Sequence, residues 1–167
     1  MPTDKLYPFQ WNWDSGFVSI GWGHYSLENA MSELACLFSG QWKNGMIPHI
    51  IFHSEKEKTY FPNFDFWKAE VNAGAPNKPK TSGITQPPVH GFVLEELLRQ
   101  HPNDEKLLAF AKVLFPRIVD YHRFFYDYRD DGAKMYITFV VLSEINAAMR
   151  IYAKLATEKR FCLAIYN

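Results

Sequence analysis

Apolar positions recur at helical spacing along much of the chain. Leu27, Ala30, Met31, Leu34, Ala35 and Phe38 share one face. Ser26 offers the N-cap of that helix, Glu28 adds negative charge to its first turn, and Gly40 stops it. The same spacing predicts a helix over 89–100, with Val89, Phe92, Val93, Leu97 and Leu98 on one side. Asn103 is expected to cap the next helix, whose face carries Leu107, Leu108, Ala111, Leu114 and Phe115. Pro116 fits poorly inside a helix, so it predicts a fresh start. That second piece brings Ile118, Val119, His122, Phe125 and Tyr126 to a core and ends near Tyr128. Beyond a polar turn at 129–132, residues 135–142 are apolar and β-branched without alternation, and Ser143 caps a last helix through Lys159.

The connections are long. Gly21 to His24 reads as a flexible turn and Asn44-Gly45 as another, while Pro48 keeps Ile47 extended. Residues 72–88 are rich in Gly, Pro, Asn and Lys, a length typical of a functional or disordered loop. The fold class expected is therefore all-α, built of antiparallel helix pairs with aromatic loops between them.

Composition narrows the classes of function. The 167 residues suffice for one domain with a sizeable core. Eighteen basic and eighteen acidic side chains balance without a basic stripe, which argues against a nucleic-acid partner. No apolar run is long enough for a membrane span, and residues 1–8 lack the pattern of a signal peptide. Cys36 and Cys162 lie far apart in apolar helical contexts, which predicts two buried thiols in a reducing compartment; the cytoplasm is the location expected. The histidines form no metal-ligand spacing, and no nucleophile elbow or phosphate loop is present, so neither metal nor cofactor is expected.

Aromatic content, at 17%, is high, and it concentrates in Tyr7-Pro-Phe-Gln-Trp-Asn-Trp-Asp-Ser-Gly-Phe17 around a single carboxylate, Asp14. In an extended segment Trp11 and Trp13 project to one side and Asn12 and Asp14 to the other. Indole faces stack on sugar rings and a carboxylate accepts from hydroxyls, so this stretch suits a saccharide. The alternative is two core tryptophans with Asp14 capping the next turn. Asp14 is also the first candidate for a general acid, since aromatic surroundings raise a carboxyl pKa. Glu33, Asp65 and Glu70, as possible partners, are not separated from solvent-facing charges. His49 inside an apolar run and Gln86 beside Pro87-Pro88 each admit a structural and a binding reading.

The segments FQWNWDSGF, SGQWKNGMIPHIIF and TSGITQPPVHG, in that order, resemble the mannosylglycerate hydrolase type of glycoside hydrolase. The likeness runs from about Tyr7 to Asp131 and includes Tyr121-His-Arg123. These enzymes are relatives of the processing α-glucosidases, and the resemblance implies part of an (α/α)6 toroid over residues 1–132, with a tail at 133–167 that departs from the pattern. It also implies substrate-binding roles for Tyr7, Trp11, Trp13, Asp14, His49 and Gln86, toward a small glycoside such as mannosylglycerate or glucosylglycerate.

The family inverts the anomeric carbon with a general acid and a general base whose carboxyls stand about 6.5–9.5 Å apart. Its acid belongs to a Trp-Glu-Ser-Gly-x-Asp-like motif following the Arg-Asp-x-Asp-Gly turn. Residues 133–167 contain no such motif, no tryptophan and no aspartate. A frameshifted or truncated gene product and a divergent ending both fit that tail. The expectation is thus a fragment holding the sugar-binding half of the site, with no catalytic residue and Asp14 as the alternative acid. A non-catalytic carbohydrate-binding or structural helical protein is the competing class. Uncovered helix faces would also favour self-association or a second chain that completes the toroid.

Overall fold

The computed structural model describes residues 8–53, 60–129, 150, 151 and 153. Tyr7, Cys162, the apolar run at 135–142 and most of the helix expected over 143–159 lie outside them; Arg150, Ile151 and Ala153 are helical. The chain is mostly helical, as expected, with a small sheet added that the helical pattern does not indicate. Among the described residues, besides the helical residues 150, 151 and 153, the helices α1 (Asn12–Gly23), α2 (Leu27–Ser39), α3 (Phe64–Trp67), α4 (His90–Gln100) and α5 (Glu105–Arg129) accompany short strands β1 (Gln10–Trp11), β2 (Ile50–Phe52) and β3 (Lys80–Thr81). The strands form an antiparallel sheet in the order β1-β2-β3, with Gln10 opposite Ile51 and Ile51 opposite Thr81. Strands of two or three residues are too short for alternation to reveal them.

Most of α2 follows its pattern. The Ser26 side chain accepts the Asn29 N–H at 3.3 Å, and Ala30, Leu34, Leu37 and Phe38 are buried. In α4 the buried side chains are His90, Val93, Leu94, Leu97 and Leu98, whereas Phe92 faces solvent. The cap of α5 is Asp104 and not Asn103: its carboxylate accepts the Leu107 N–H at 2.8 Å. Pro116 does not start a new helix, because α5 continues through it. Leu114, Phe115, Ile118, Tyr121, Phe124 and Phe125 are all buried on this one helix, and burying six large side chains outweighs the roughly 3 kcal/mol of an internal proline. Tyr126, expected in the core, is exposed.

The helix α1 replaces the flexible turn expected at Gly21–His24. Its buried positions are Asn12, Ser15, Gly16, Ser19 and Gly23, small or polar residues at helical spacing. This narrow face lets α1 press against α2 and α4. A Cβ on Gly23 would meet Leu97 Cδ2 at 2.7 Å, and one on Gly16 would meet Val93 Cγ2 at 3.1 Å. Two cores result. The main one joins α2, α4 and α5 and includes Trp42, Ile47 and Ile151. The second is aromatic and lies on the sheet, where Phe9, Trp11, Ile50 and Phe52 pack with Tyr60, Phe64 and Trp67.

The turn at Asn44-Gly45 docks on α5. Gly45 has φ +90 and a Cβ there would stand 2.2 Å from the Asp120 carbonyl oxygen, so glycine is required twice over. Gln41 and Arg117 bond each other reciprocally, Arg117 Nε to Gln41 Oε1 at 2.9 Å and Gln41 Nε2 to Arg117 O at 2.8 Å. Arg117 also donates to the Phe38 carbonyl at the end of α2, where a cation suits the helix dipole. These bonds fix the 41–49 segment against both long helices.

Candidate functional site

Three segments distant in sequence meet at the N-terminus of α1. The first helical N–H, of Asn12, donates to the His49 carbonyl at 3.0 Å. The next, of Trp13, donates to the carboxamide oxygen of Gln86 at 3.1 Å. His49 N–H in turn donates to the Ile84 carbonyl at 2.7 Å. Two of the orphan donors of this helix start are thus satisfied by the very segments that carry His49 and Gln86.

Behind this junction lies a buried polar hub. The Asn12 side chain donates to the Tyr121 hydroxyl at 3.0 Å and to the Ile47 carbonyl at 3.2 Å. Tyr121 donates to the main-chain carbonyl of Gln86 at 2.5 Å, and Thr85 Oγ1 stands 2.6 Å from the same hydroxyl. Thr85 also donates to the Ile47 carbonyl at 2.5 Å. Asn12 and Tyr121 are fully buried, so each bond here is strengthened by the low local dielectric and costly to lose. Burial pushes the Tyr121 hydroxyl well above the usual phenol range, against the opposing effect of its bonds with Thr85 and Asn12. It stays protonated and available as a donor.

Of the six expected site residues, Trp13, Asp14, His49 and Gln86 come together. Tyr7 is outside the described residues. Trp11 and Trp13 do not share a side, because the helix begins between them. Trp11 is 6% exposed within the aromatic core of the sheet, while Trp13 is 42% exposed and meets Phe17 edge-on at 6.4 Å. Asp14 is half-exposed in the first turn of α1, where a carboxylate is favoured by the helix dipole. His49 is half-buried with its Nδ1 unpaired. Burial lowers the His49 pKa, and the charge of Asp14 opposes that shift. Asp14 and His49 are thus within electrostatic reach of each other. Together the four residues offer an aromatic face, a carboxylate, an imidazole and a carboxamide, groups suited to a ligand rich in hydroxyls.

The other acids lie elsewhere. Asp65 and Glu70 face solvent. Glu33 accepts from Gln10 Nε2 at 2.9 Å, beside a second cluster in which His53 Nε2 lies 2.9 Å from Gln10 Oε1 and 3.5 Å from Cys36 Sγ. Cys36 is exposed, contrary to the buried thiol expected, because it falls on the outer side of α2. Asn12, Thr85 and Tyr121 join the site without any signal of their own in the sequence. All three sit inside the quoted segments, but nothing in spacing distinguishes a buried hub from a loop.

The sequence model of the mannosylglycerate hydrolase MGH1-like glycoside hydrolase domain matches residues 7–144. The chain belongs to this family. It is 45% identical over 131 residues to a mannosylglycerate hydrolase of Thermus thermophilus, covering 78% of this chain and 30% of that protein. It is 39% identical over 139 residues to a glucosylglycerate hydrolase of Mycolicibacterium hassiacum, covering 80% and 31%. Its structure resembles the crystal structure of a GH63 mannosylglycerate hydrolase from Thermus thermophilus in complex with Tris and D-glycerate, with a TM-score of 0.68 and 42% identity. That likeness covers 78% of this chain and 29% of the enzyme. The chain thus spans about 30% of the length of the relatives it matches. Among the described residues no helix is long and apolar enough to cross a membrane.

Proposed function

We propose that this chain contributes the sugar-binding part of an (α/α)6 glycoside hydrolase domain acting on a small glycoside such as mannosylglycerate or glucosylglycerate. The observation that carries the reading is the convergence of Trp13, Asp14, His49 and Gln86 at one helix start in a chain of this family. Trp13 supplies the stacking face, Asp14 accepts from ring hydroxyls, and His49 and Gln86 read further oxygens. Trp11 is buried in the sheet's aromatic core and is left out of this binding face.

Inverting hydrolysis needs an acid and a base about 6.5–9.5 Å apart. Asp14 is a holding carboxylate in this reading, and residues 1–167 by themselves bind the glycoside without cleaving it. Completion of the toroid is left to polypeptide beyond these residues or to a second chain. The test is calorimetric titration of the 167-residue chain with mannosylglycerate and glucosylglycerate, alongside an assay for released hexose. Saturable binding without release supports the reading; release abolished by Asp14→Asn would restore Asp14 as the acid.

A further inference from the structure

Gln86 is held at two atoms. Its carboxamide oxygen takes the Trp13 N–H at 3.1 Å, and its main-chain carbonyl takes the Tyr121 hydroxyl at 2.5 Å. A backbone N–H can be met only by an acceptor, so the oxygen of the carboxamide, and not its nitrogen, must face α1. The amide nitrogen carries two protons and has no protein acceptor among the described residues. The flip state of this side chain is therefore decided by the helix it caps.

The main chain of Gln86 is decided by the hub. Tyr121 comes from the middle of α5, where its ring is packed between His90 and Phe125 at 5.8 and 5.3 Å. A ring so confined places its hydroxyl with little freedom. That hydroxyl holds Gln86 directly, Thr85 beside it, and Asn12 at the start of α1. One atom thus ties together the residue that offers the carboxamide and the helix that orients it.

We infer that Tyr121 is a positioning residue that fixes the main chain of Gln86 beside α1, so that its side chain, with the oxygen turned to the Trp13 N–H, presents its N–H groups at this position. The inference rests on the proposed binding role of Gln86 and sharpens it. At Gln86 the ligand must offer an oxygen acceptor, a ring or hydroxyl oxygen or a carboxylate oxygen of the aglycone. At Asp14 it must offer an O–H. A ligand with these two features exchanged would leave both groups unpaired, and such mismatches are discriminated strongly.

Two variants test this. Gln86→Glu keeps an oxygen for the Trp13 N–H, adds a charge favourable at a helix start, and removes the donor. Its melting temperature should equal or exceed that of the parent chain, while affinity for mannosylglycerate or glucosylglycerate falls roughly tenfold or more. Tyr121→Phe keeps the ring and removes the hydroxyl. Hydrogen exchange at the Trp13 amide should then accelerate by roughly tenfold beyond any change at Leu97 or Ile118, whose amides report the helical core. In the double variant the losses of affinity should be less than additive. Should Tyr121→Phe fail to fold, the Tyr121 hydroxyl proton of the parent chain is read by NMR: a resolved, slowly exchanging resonance supports its bond to Gln86, and its absence overturns the role of Tyr121. Parent-like binding by Gln86→Glu overturns the donor assignment. Exchange at Trp13 that moves only in step with the core overturns the role of Tyr121. If the parent chain binds neither glycoside, the proposed function fails, and the exchange measurement still decides the clamp.

Discussion

Trp11 and Trp13 stand two positions apart and belong to different parts of the molecule. Trp11 closes β1 and is 6% exposed, whereas Trp13 lies in the first turn of α1 and is 42% exposed. Replacing each should therefore have opposite signatures. Trp11→Ala should cost about 3–5 kcal/mol of stability, as for other large buried aromatics. Trp13→Ala should leave urea unfolding within about 0.5 kcal/mol, as for exposed positions, and weaken glycoside binding. Denaturation curves and ligand titrations of the two variants check this.

Acid should destabilise the fold through two histidines. Burial lowers the pKa of His90 and of His122 from 6.5 to about 4. Between those values the unfolded chain binds more protons than the folded one, so stability falls as pH drops from about 6.5 to 4. Each histidine accounts for a loss on the order of 3 kcal/mol across that window. His90→Gln should flatten part of the pH dependence of the melting temperature, even if it lowers the temperature itself. A profile unchanged by the substitution would assign the acid sensitivity elsewhere.

Gly45→Ala is expected to destabilise by about 2–4 kcal/mol, combining a positive φ with overpacking. The added methyl would meet the Asp120 carbonyl oxygen at 2.2 Å, and backbone on a long helix has no room to yield. Because that turn sets the 45–49 segment, glycoside affinity should fall with it. Thermal melts and titrations of the variant provide the check.

The helices α2, α4 and most of α5 are legible in the sequence because their buried faces are made of large apolar side chains at a 3.6-residue period. The helix α1 is not, because its buried face is Asn12, Ser15, Gly16, Ser19 and Gly23. A face chosen for close approach carries no hydrophobic signal, while Trp13, Phe17 and Trp22 on the other side suggest a different structure. Extended pairing of Trp11 with Trp13 is the natural reading of such a pattern, and it fails for that reason. The residues Asp14, His49 and Gln86 stand out by motif likeness; what joins them is a set of main-chain carbonyls and one tyrosine hydroxyl, which no spacing rule encodes. Pro116 misleads because its penalty, weighed alone, omits the apolar side chains that follow it on the same helix.

Exposed aromatics bear on assembly. Trp13, Phe17, Phe61, Phe66 and Phe92 all face solvent. A chain that self-associates through such surfaces should show a melting temperature that rises with protein concentration. A concentration-independent melt would contradict self-association.

The claim that Asp14 holds a sugar beside Trp13, His49 and Gln86 is tested most directly by calorimetric titration of the 167-residue chain and its Asp14→Asn variant with mannosylglycerate and glucosylglycerate. Saturable binding of at least one glycoside by the parent chain is expected, with an affinity roughly tenfold or more lower in the variant and an unchanged melting temperature. A folded parent chain that binds neither glycoside, or a variant that binds as tightly as the parent, would contradict it.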